Sequence, residues 1–185
     1  MSKIGKQPII VPEGVTVTVK PETVEVSGKA GMLLVPRLPS IEVKLNAGQL
    51  LCIAMNDELQ TRANWGTSRA LLQNAVTGIA SGGYKKVLEI EGIGFRATIE
   101  GKTLVLNIGF THPVRFAIPD GITVVVVKGI ITISGIDKAM VGEVAANIRH
   151  LKEPEPYKGT GIHYQGEVIA RKEGKKAASA GTAAA

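Results

Sequence analysis

Cysteine and aromatic residues are scarce in this chain of 185 residues, and long apolar runs are missing. The single cysteine, Cys52, cannot form an intrachain disulfide framework, and it cannot supply a zinc site that needs two or more cysteine ligands. The longest apolar runs, such as 122–127, are far shorter than the ~20 residues that span a bilayer. These absences predict a cytoplasmic protein without a membrane partner.

Motifs of known catalytic chemistry are also absent. The sequence has no nucleotide-binding glycine-rich loop, no zinc-protease helix motif and no serine-hydrolase elbow. The cluster Gly92-Ile93-Gly94 lies inside a strand pattern, which favours a β-bulge over a phosphate-binding loop. Only His112, His150 and His163 could supply a histidine base or ligand, and no motif surrounds them. The sequence therefore predicts no enzyme, cofactor, metal site or small-molecule substrate.

The charge of the chain is positive and unevenly distributed. Lysine and arginine number 22 against 16 acidic residues, which gives a net charge of +6. Half of this excess lies in residues 149–185, which hold seven basic and four acidic residues. Such a surplus favours an anionic partner, and nucleic acid fits better than a membrane surface because neither predicted helix has a basic amphipathic face.

An internal repeat indicates that the chain contains two related halves. Shifting the sequence by 107 positions aligns residues 12–28 with 119–135 without a gap, and seven of the seventeen aligned pairs are identical. Each copy begins with Pro-x-Gly and ends with Ser-Gly. Apolar and polar residues alternate in both copies, which predicts a β-hairpin with one buried face.

Further patterns complete the predicted fold. Strands are expected at 41–45, 49–54, 87–99 and 103–108, and Cys52 alternates as a core residue within one of them. Helical periodicity appears at Leu72, Ala75, Val76 and Ile79, with Gly82-Gly83 as its stop. A second helix is expected after Asp137, a plausible N-cap, with buried positions that extend to Leu151.

These elements predict an α+β fold of two duplicated small domains, each an antiparallel or mixed β-sheet with a helix packed on one face. The predicted domains comprise residues 1–82 and 83–176. The alanine-rich tail, 177–185, is expected to be disordered. The order of elements differs between the halves, because the second hairpin leads directly into its helix and the first does not.

The segment after the second helix has the chemistry of a nucleic-acid contact. Two prolines end the helix, and Gly159 and Gly161 allow close approach of the backbone to a bulky partner. Lys152 and Lys158 can bind phosphates, and the two nearby tyrosines, Tyr157 and Tyr164, can lie against a sugar or a base. The alternative is an ordinary loop with solvated charges, and residue chemistry alone leaves both interpretations open.

The same segment carries a family resemblance. The stretch Pro154-Glu155-Pro156-Tyr157-Lys158-Gly159-x-Gly161-Ile162-x-Tyr164 closely resembles the signature of the bacterial large-subunit ribosomal protein six family. Similar matches occur at 2–9, 69–76, 92–97, 109–114 and 134–138, so that the resemblance covers about residues 2–176. Where this chain has Thr160 and His163, the family commonly has basic residues, which predicts that two phosphate contacts are weakened or lost.

The resemblance implies a ribosomal protein that binds large-subunit ribosomal RNA mainly through its C-terminal domain. It also implies a position near the stalk base, where translation factors dock, with neighbouring ribosomal proteins as further partners. With seven aromatic residues in the whole chain, docking on folded RNA is favoured over stacking on long single strands. The residues expected to contact RNA are Arg149, Lys152, Tyr157, Lys158, Gly159, Gly161, His163, Tyr164, Arg171, Lys172, Lys175 and Lys176.

Other functional classes remain as alternatives at this point. An enzyme would need convergent titratable groups, and a membrane-surface protein would need a basic amphipathic helix. A free RNA-binding regulator is harder to separate from a ribosomal protein, because the same cations could hold messenger or transfer RNA. The sequence also leaves open whether the first domain touches RNA or only proteins.

Overall fold

The computed structural model describes residues 3–46 and 48–174. Two helices lie in these ranges, α1 (Leu59–Ala80) and α2 (Lys138–Leu151). The strands of the described residues are β1 (Ile9–Ile10), β2 (Val15–Val19), β3 (Thr23–Gly28), β4 (Gly31–Pro36), β5 (Ile41–Asn46), β6 (Gln49–Ala54), β7 (Tyr84–Glu91), β8 (Arg96–Glu100), β9 (Thr103–Asn107), β10 (Val114–Ala117), β11 (Ile122–Val127), β12 (Ile130–Gly135) and β13 (Gly161–Tyr164). The predicted tail at 177–185 lies outside the described residues, as do Lys175 and Lys176.

By their packing, the described residues divide into two compact units. The first unit contains the residues up to Lys86 together with Ile118–Val124 and Ile133–Val144. The second contains Val87–Ala117, Val125–Thr132 and the described residues from Ala145 onward. The C-terminal segment that was singled out in the sequence therefore belongs to the second unit.

The first unit has two three-stranded antiparallel sheets, with the strand orders β2-β3-β4 and β1-β6-β5. The predicted first hairpin is confirmed, since Val17 pairs with Val26 and Val19 with Val24. Inward residues of both sheets form one buried cluster with the apolar face of α1, and Cys52 belongs to this core as predicted. Burying such a set of valine, isoleucine and leucine side chains is the main source of stability in a unit of this size.

The predicted second hairpin and its helix are also confirmed. Strands β11 and β12 are joined by a tight turn in which Lys128 and Gly129 have φ of +47° and +83°. The Ala139 amide donates a hydrogen bond to Asp137 Oδ1 over 2.8 Å, so Asp137 caps α2. Strand order in this second sheet is β11-β12-β7-β13, and a third small sheet has the order β10-β9-β8.

The internal repeat has a physical basis in both hairpins. Ser27 Oγ donates to the carbonyl oxygen of Thr16, and Ser134 Oγ donates to that of Thr123, each over 3.4 Å. A glycine is required after each serine, because the surrounding atoms leave no room for a Cβ atom. A Cβ atom at Gly28 would lie 3.0 Å from the carbonyl oxygen of Gly14, and one at Gly135 would lie 3.0 Å from that of Gly121, the equivalent residue of the second copy. The shared Ser-Gly ending therefore reflects the same local packing twice.

Two sequence-based expectations need correction. The single strand predicted at 87–99 is two strands, β7 and β8, which belong to different sheets. The chain turns between them, because Gly92 and Gly94 have φ of +158° and +78° and the Phe95 amide donates to the Gly92 carbonyl over 3.3 Å. The glycine cluster is thus a strand-ending turn and not a bulge. In agreement with the predicted α+β class, each half of the chain contains small sheets and one helix, with two sheets in each half.

Candidate nucleic-acid interface

The segment after α2 is held in a closed loop and a strand. The Glu155 amide donates to the Thr160 carbonyl over 3.0 Å, and the Gly159 amide donates to the Glu155 carbonyl over the same distance. Strand β13 follows at once and pairs antiparallel with β7, with Gly161 opposite Glu91 and Tyr164 opposite Leu88. The sequence prediction of a loop therefore holds only for residues up to Thr160. A fixed backbone of this kind presents side chains without a large loss of conformational freedom on binding.

Three exposed cations gather on this closed loop. The Lys172 amide donates to the Pro156 carbonyl over 2.7 Å, which fastens the chain beyond β13 to the loop. Arg171 Nη2 lies 3.3 Å from the point that a Cβ atom of Gly159 would occupy, so its guanidinium covers that glycine. Lys158 is next to Gly159 in the chain, and its side chain is exposed. We call Lys158, Arg171 and Lys172 the basic cluster.

The cations of the basic cluster are available to an external anion. Within residues 3–46 and 48–174, none of the three forms an ion pair with a carboxylate. Tyr157 lies beside them with an exposed ring. Lysine and arginine heads that are already paired lose much of their attraction for phosphate, so unpaired heads on a fixed loop are the arrangement expected of a phosphate-binding surface.

The side chain of Arg149 forms an ion pair within the protein. Its Nε and Nη2 atoms donate to the two carboxylate oxygens of Glu167 over 3.1 and 2.6 Å, and its guanidinium lies 5.9 Å from the centre of the Tyr164 ring. Glu167 also accepts the Tyr164 amide over 2.9 Å. The hydrogen bond from Arg149, followed by that from the Tyr164 amide, lowers the pKa of Glu167 below its ordinary value. Arg149 and Glu167 thus fasten the end of α2 to the turn after β13.

This ion pair predicts a pH-dependent loss of stability in the variant Glu167→Gln. The folded-state pKa of Glu167 is depressed, so its contribution is fully present above the unfolded value of about 4.5 and is lost as the pH falls through the folded-state pKa. At pH 7 we expect the variant to be less stable by about 1 to 2 kcal/mol, since a partly buried charge-assisted pair is lost. Urea unfolding of both proteins at a series of pH values measures this difference. A difference that stays constant from neutral to strongly acidic pH would contradict it.

Two further predicted contact residues are buried. His163 is only 6% exposed, with Nδ1 3.0 Å from the Tyr164 carbonyl oxygen and Nε2 3.7 Å from Glu91 Oε1. Gly161 is buried with φ +151°, and a Cβ atom there would lie 2.6 Å from Pro154 Cα. The glycine allows a close approach, as expected, but to the chain's own backbone. These positions serve the fold, and His163, where the sequence resemblance predicted a weakened phosphate contact, is buried.

The predicted contact residues therefore divide into groups. The structure brings Tyr157, Lys158, Arg171 and Lys172 together at the surface around Gly159, which is itself buried. Lys152 is half-buried, and the others lie inside the fold or outside the described residues. Sequence reasoning missed Glu167 altogether. The only signal for it was an acidic residue in a basic segment, which gave no indication of its partner.

Other kinds of site find no support in the described part of the chain. No three side chains among its histidines, cysteine and acids are grouped so that they could hold a metal ion. Burial raises the pKa of the Cys52 thiol, which keeps it in the unreactive protonated form. None of the helices described here has the length and apolar character needed to cross a membrane.

Comparison with known proteins supplies the family. The sequence model of the family "Ribosomal protein L6" matches residues 11–82 and 91–165, one segment in each half of the repeat. "Large ribosomal subunit protein uL6" of Zymomonas mobilis is 47% identical over 177 residues, which cover 95% of this chain and 99% of that protein. The uL6 protein of Methylacidiphilum infernorum is 51% identical over 179 residues, or 96% and 99% of the two chains. These matches confirm the resemblance seen in the sequence motifs, and the chain belongs to the ribosomal protein L6 family.

Proposed function

We propose that this chain is a structural constituent of the large ribosomal subunit and binds large-subunit ribosomal RNA mainly through its predicted C-terminal domain, residues 83–176. The observation that carries the proposal is the basic cluster, whose three cations lie on a loop closed by backbone hydrogen bonds and form no ion pair with any residue that the structure describes. Its place of action is the ribosome and hence the bacterial cytoplasm.

The mechanism is docking on folded RNA by phosphate contacts. Lysine and arginine heads bind phosphate oxygens, which fixes the position and orientation of a protein without reading the bases. Specificity then comes from the spacing of the phosphates, because the closed loop and the hydrogen bond from the Lys172 amide to the Pro156 carbonyl fix the backbone from which these cations project. An RNA with the matching backbone shape binds all of these cations at once.

The position of the protein within the large ribosomal subunit is part of the same proposal. We place the protein near the base of the stalk, in the region where translation factors dock, with neighbouring ribosomal proteins as additional partners. The family resemblance supports this placement. No catalytic activity is proposed, because a protein of this kind acts by holding RNA and protein in position.

The test of RNA binding is its dependence on salt. If roughly four to six phosphates are neutralised, the logarithm of affinity should fall against the logarithm of salt concentration with a slope of about −3 to −5. Filter binding of the full chain to protein-free large-subunit ribosomal RNA, between about 50 and 200 mM salt, measures this slope. An affinity that does not change over this range would exclude phosphate contacts as the basis of binding.

A second measurement tests assembly. The protein should travel with large subunits through a sucrose gradient of a bacterial lysate and remain with them at moderate salt. Sedimentation only at the top of the gradient, in fractions without ribosomal RNA, would favour a free RNA-binding protein over a ribosomal one.

A further inference from the structure

A second surface of the second unit carries exposed apolar side chains on two neighbouring loops. Two loops, 92–95 and 108–113, lie at one end of the sheet β10-β9-β8. They are neighbours because β8 begins after the first loop, β9 ends before the second, and Arg96 pairs with Asn107 at this end of the sheet. We call the two together the paired loops.

The paired loops are fixed by one aromatic ring. A Cβ atom at Gly92 would lie 2.5 Å from the Phe95 ring, and one at Gly109 would lie 3.2 Å from the same ring. The ring of Phe95 therefore packs against the backbone of both loops. Each of these glycines is followed directly by a large apolar residue, Ile93 in the first loop and Phe110 in the second.

Both of these apolar side chains face solvent. Ile93 is fully exposed, and Phe110 is 47% exposed. Single exposed apolar residues are common on protein surfaces. Here, however, two occur on adjacent loops that the half-buried ring of Phe95 holds in place, so their exposure is built into the structure. Because Ile93 is fully exposed and about half of the Phe110 side chain is exposed, both are available to contact a partner.

The charges around the paired loops suit an anionic partner. Lys152 Nζ lies 5.3 Å from the centre of the Phe110 ring, in the geometry of a cation–π contact. Arg96 is exposed and has no carboxylate partner among the described residues. Glu91, which directly precedes the first of the two loops, has Oε1 3.7 Å from His163 Nε2 and Oε2 3.7 Å from the point that a Cβ atom of Gly159 would occupy, and so faces β13 and the loop before it. Exposed apolar side chains beside two cations that form no ion pair among the described residues fit RNA better than an apolar protein surface.

We infer that the paired loops are a second RNA-binding surface, at which Phe110 stacks on an unpaired base of the folded RNA while Lys152 and Arg96 contact adjacent phosphates. Ile93 covers the edge of the same base. This inference rests on the proposed function and extends it. The basic cluster contacts only the backbone, whereas the paired loops need a base that is not stacked in a helix, such as one in a bulge or loop.

The first test is an alanine variant with a matched control. In the full chain, Ile93→Ala together with Phe110→Ala should weaken binding to protein-free large-subunit ribosomal RNA about ten- to hundredfold, the usual loss for one stacked base. The slope of affinity against salt should stay the same, because no phosphate contact is removed. The control is Met32→Ala with Leu34→Ala, which removes two comparably exposed apolar side chains from the first unit and should bind normally.

The second test reports the stacking directly. In Phe110→Trp, the fluorescence of the new indole should be quenched when the same RNA is added, whereas the signal of Trp65 in the unchanged chain serves as the reference. Normal RNA binding by the double alanine variant, or an unquenched indole, would overturn the inference while leaving the proposed function intact. Loss of binding to another ribosomal protein, with RNA binding unchanged, would assign the surface to a protein partner and also overturn it. Absence of RNA binding by the unchanged chain would overturn both.

Discussion

Replacing Lys158, Arg171 and Lys172 together with alanine should weaken binding to large-subunit ribosomal RNA by about a hundredfold at about 0.15 M salt. Each phosphate contact contributes about 0.9 to the slope of log affinity against log salt, so the slope should become shallower by about two to three. The reason is that these cations lie on a closed loop and that none of them forms an ion pair with a carboxylate within residues 3–46 and 48–174. Filter binding over a range of salt concentrations measures both quantities.

The matched control separates a binding site from a general effect of charge. Lys3→Ala, Lys29→Ala and Lys85→Ala remove the same number of positive charges from exposed positions of the first unit, and none of these lysines forms an ion pair among the described residues. This triple variant should keep most of the affinity and the original slope, and both variants should unfold near the temperature of the unchanged chain, because exposed cations contribute little to stability. If the two triple variants lost affinity equally, long-range attraction and not the basic cluster would account for binding.

The parts of the fold that sequence predicted well are those that local patterns determine. Each hairpin shows the alternation of a half-buried strand, and the Ser-Gly ending recurs because Gly28 and Gly135 meet the same steric restriction. Helix α2 has a capping aspartate and a regular apolar face. In such segments the local preference and the final packing agree, so pattern alone was sufficient.

The elements that the sequence analysis did not predict are those whose structure is determined by packing between residues far apart in the sequence. Helix α1 begins at Leu59, well before the predicted periodic stretch, although Glu58 provides no side-chain cap. Its first turns are stabilised by contacts such as the hydrogen bond from Trp65 Nε1 to the Cys52 carbonyl, 2.7 Å long, which no local pattern reveals. Strand β13 was missed for a similar reason. A four-residue segment after a loop becomes a strand only because the edge of β7 is available to it.

For the candidate site, the sequence identified which residue types are present, but it did not show which of their side chains face solvent. Lys158 and Arg149 have the same charge and lie in the same segment, yet one is exposed and the other is held by Glu167. The difference arises from where Glu167 lies after the turn that follows β13. Composition could therefore place the excess charge in this part of the chain, while only the folded geometry separates the cations that face solvent from those that stabilise the fold.

Replacing Gly161 with alanine should be among the most damaging single changes in the second unit. The added Cβ atom would lie 2.6 Å from Pro154 Cα and 2.7 Å from the carbonyl oxygen of Glu153, and backbone atoms cannot move aside as a side chain can. Strand β13 would have to separate from the loop before it. We expect a loss of about 4 kcal/mol, a Tm lower by about 10 °C or more, and weaker RNA binding because the basic cluster loses its support.

The control for this change is Gly166→Ala, in the turn just after β13. Gly166 has φ +79°, but a Cβ atom there meets no other atom within 4 Å. Its replacement therefore costs only the backbone strain of a left-handed residue, about 1 kcal/mol. Calorimetry of both variants separates the effect of backbone strain from that of steric overlap. Gly161→Ala should lower the Tm several times as much as Gly166→Ala. Equal effects would show that the close approach of β13 to residues 153–154 does not limit the stability of this unit.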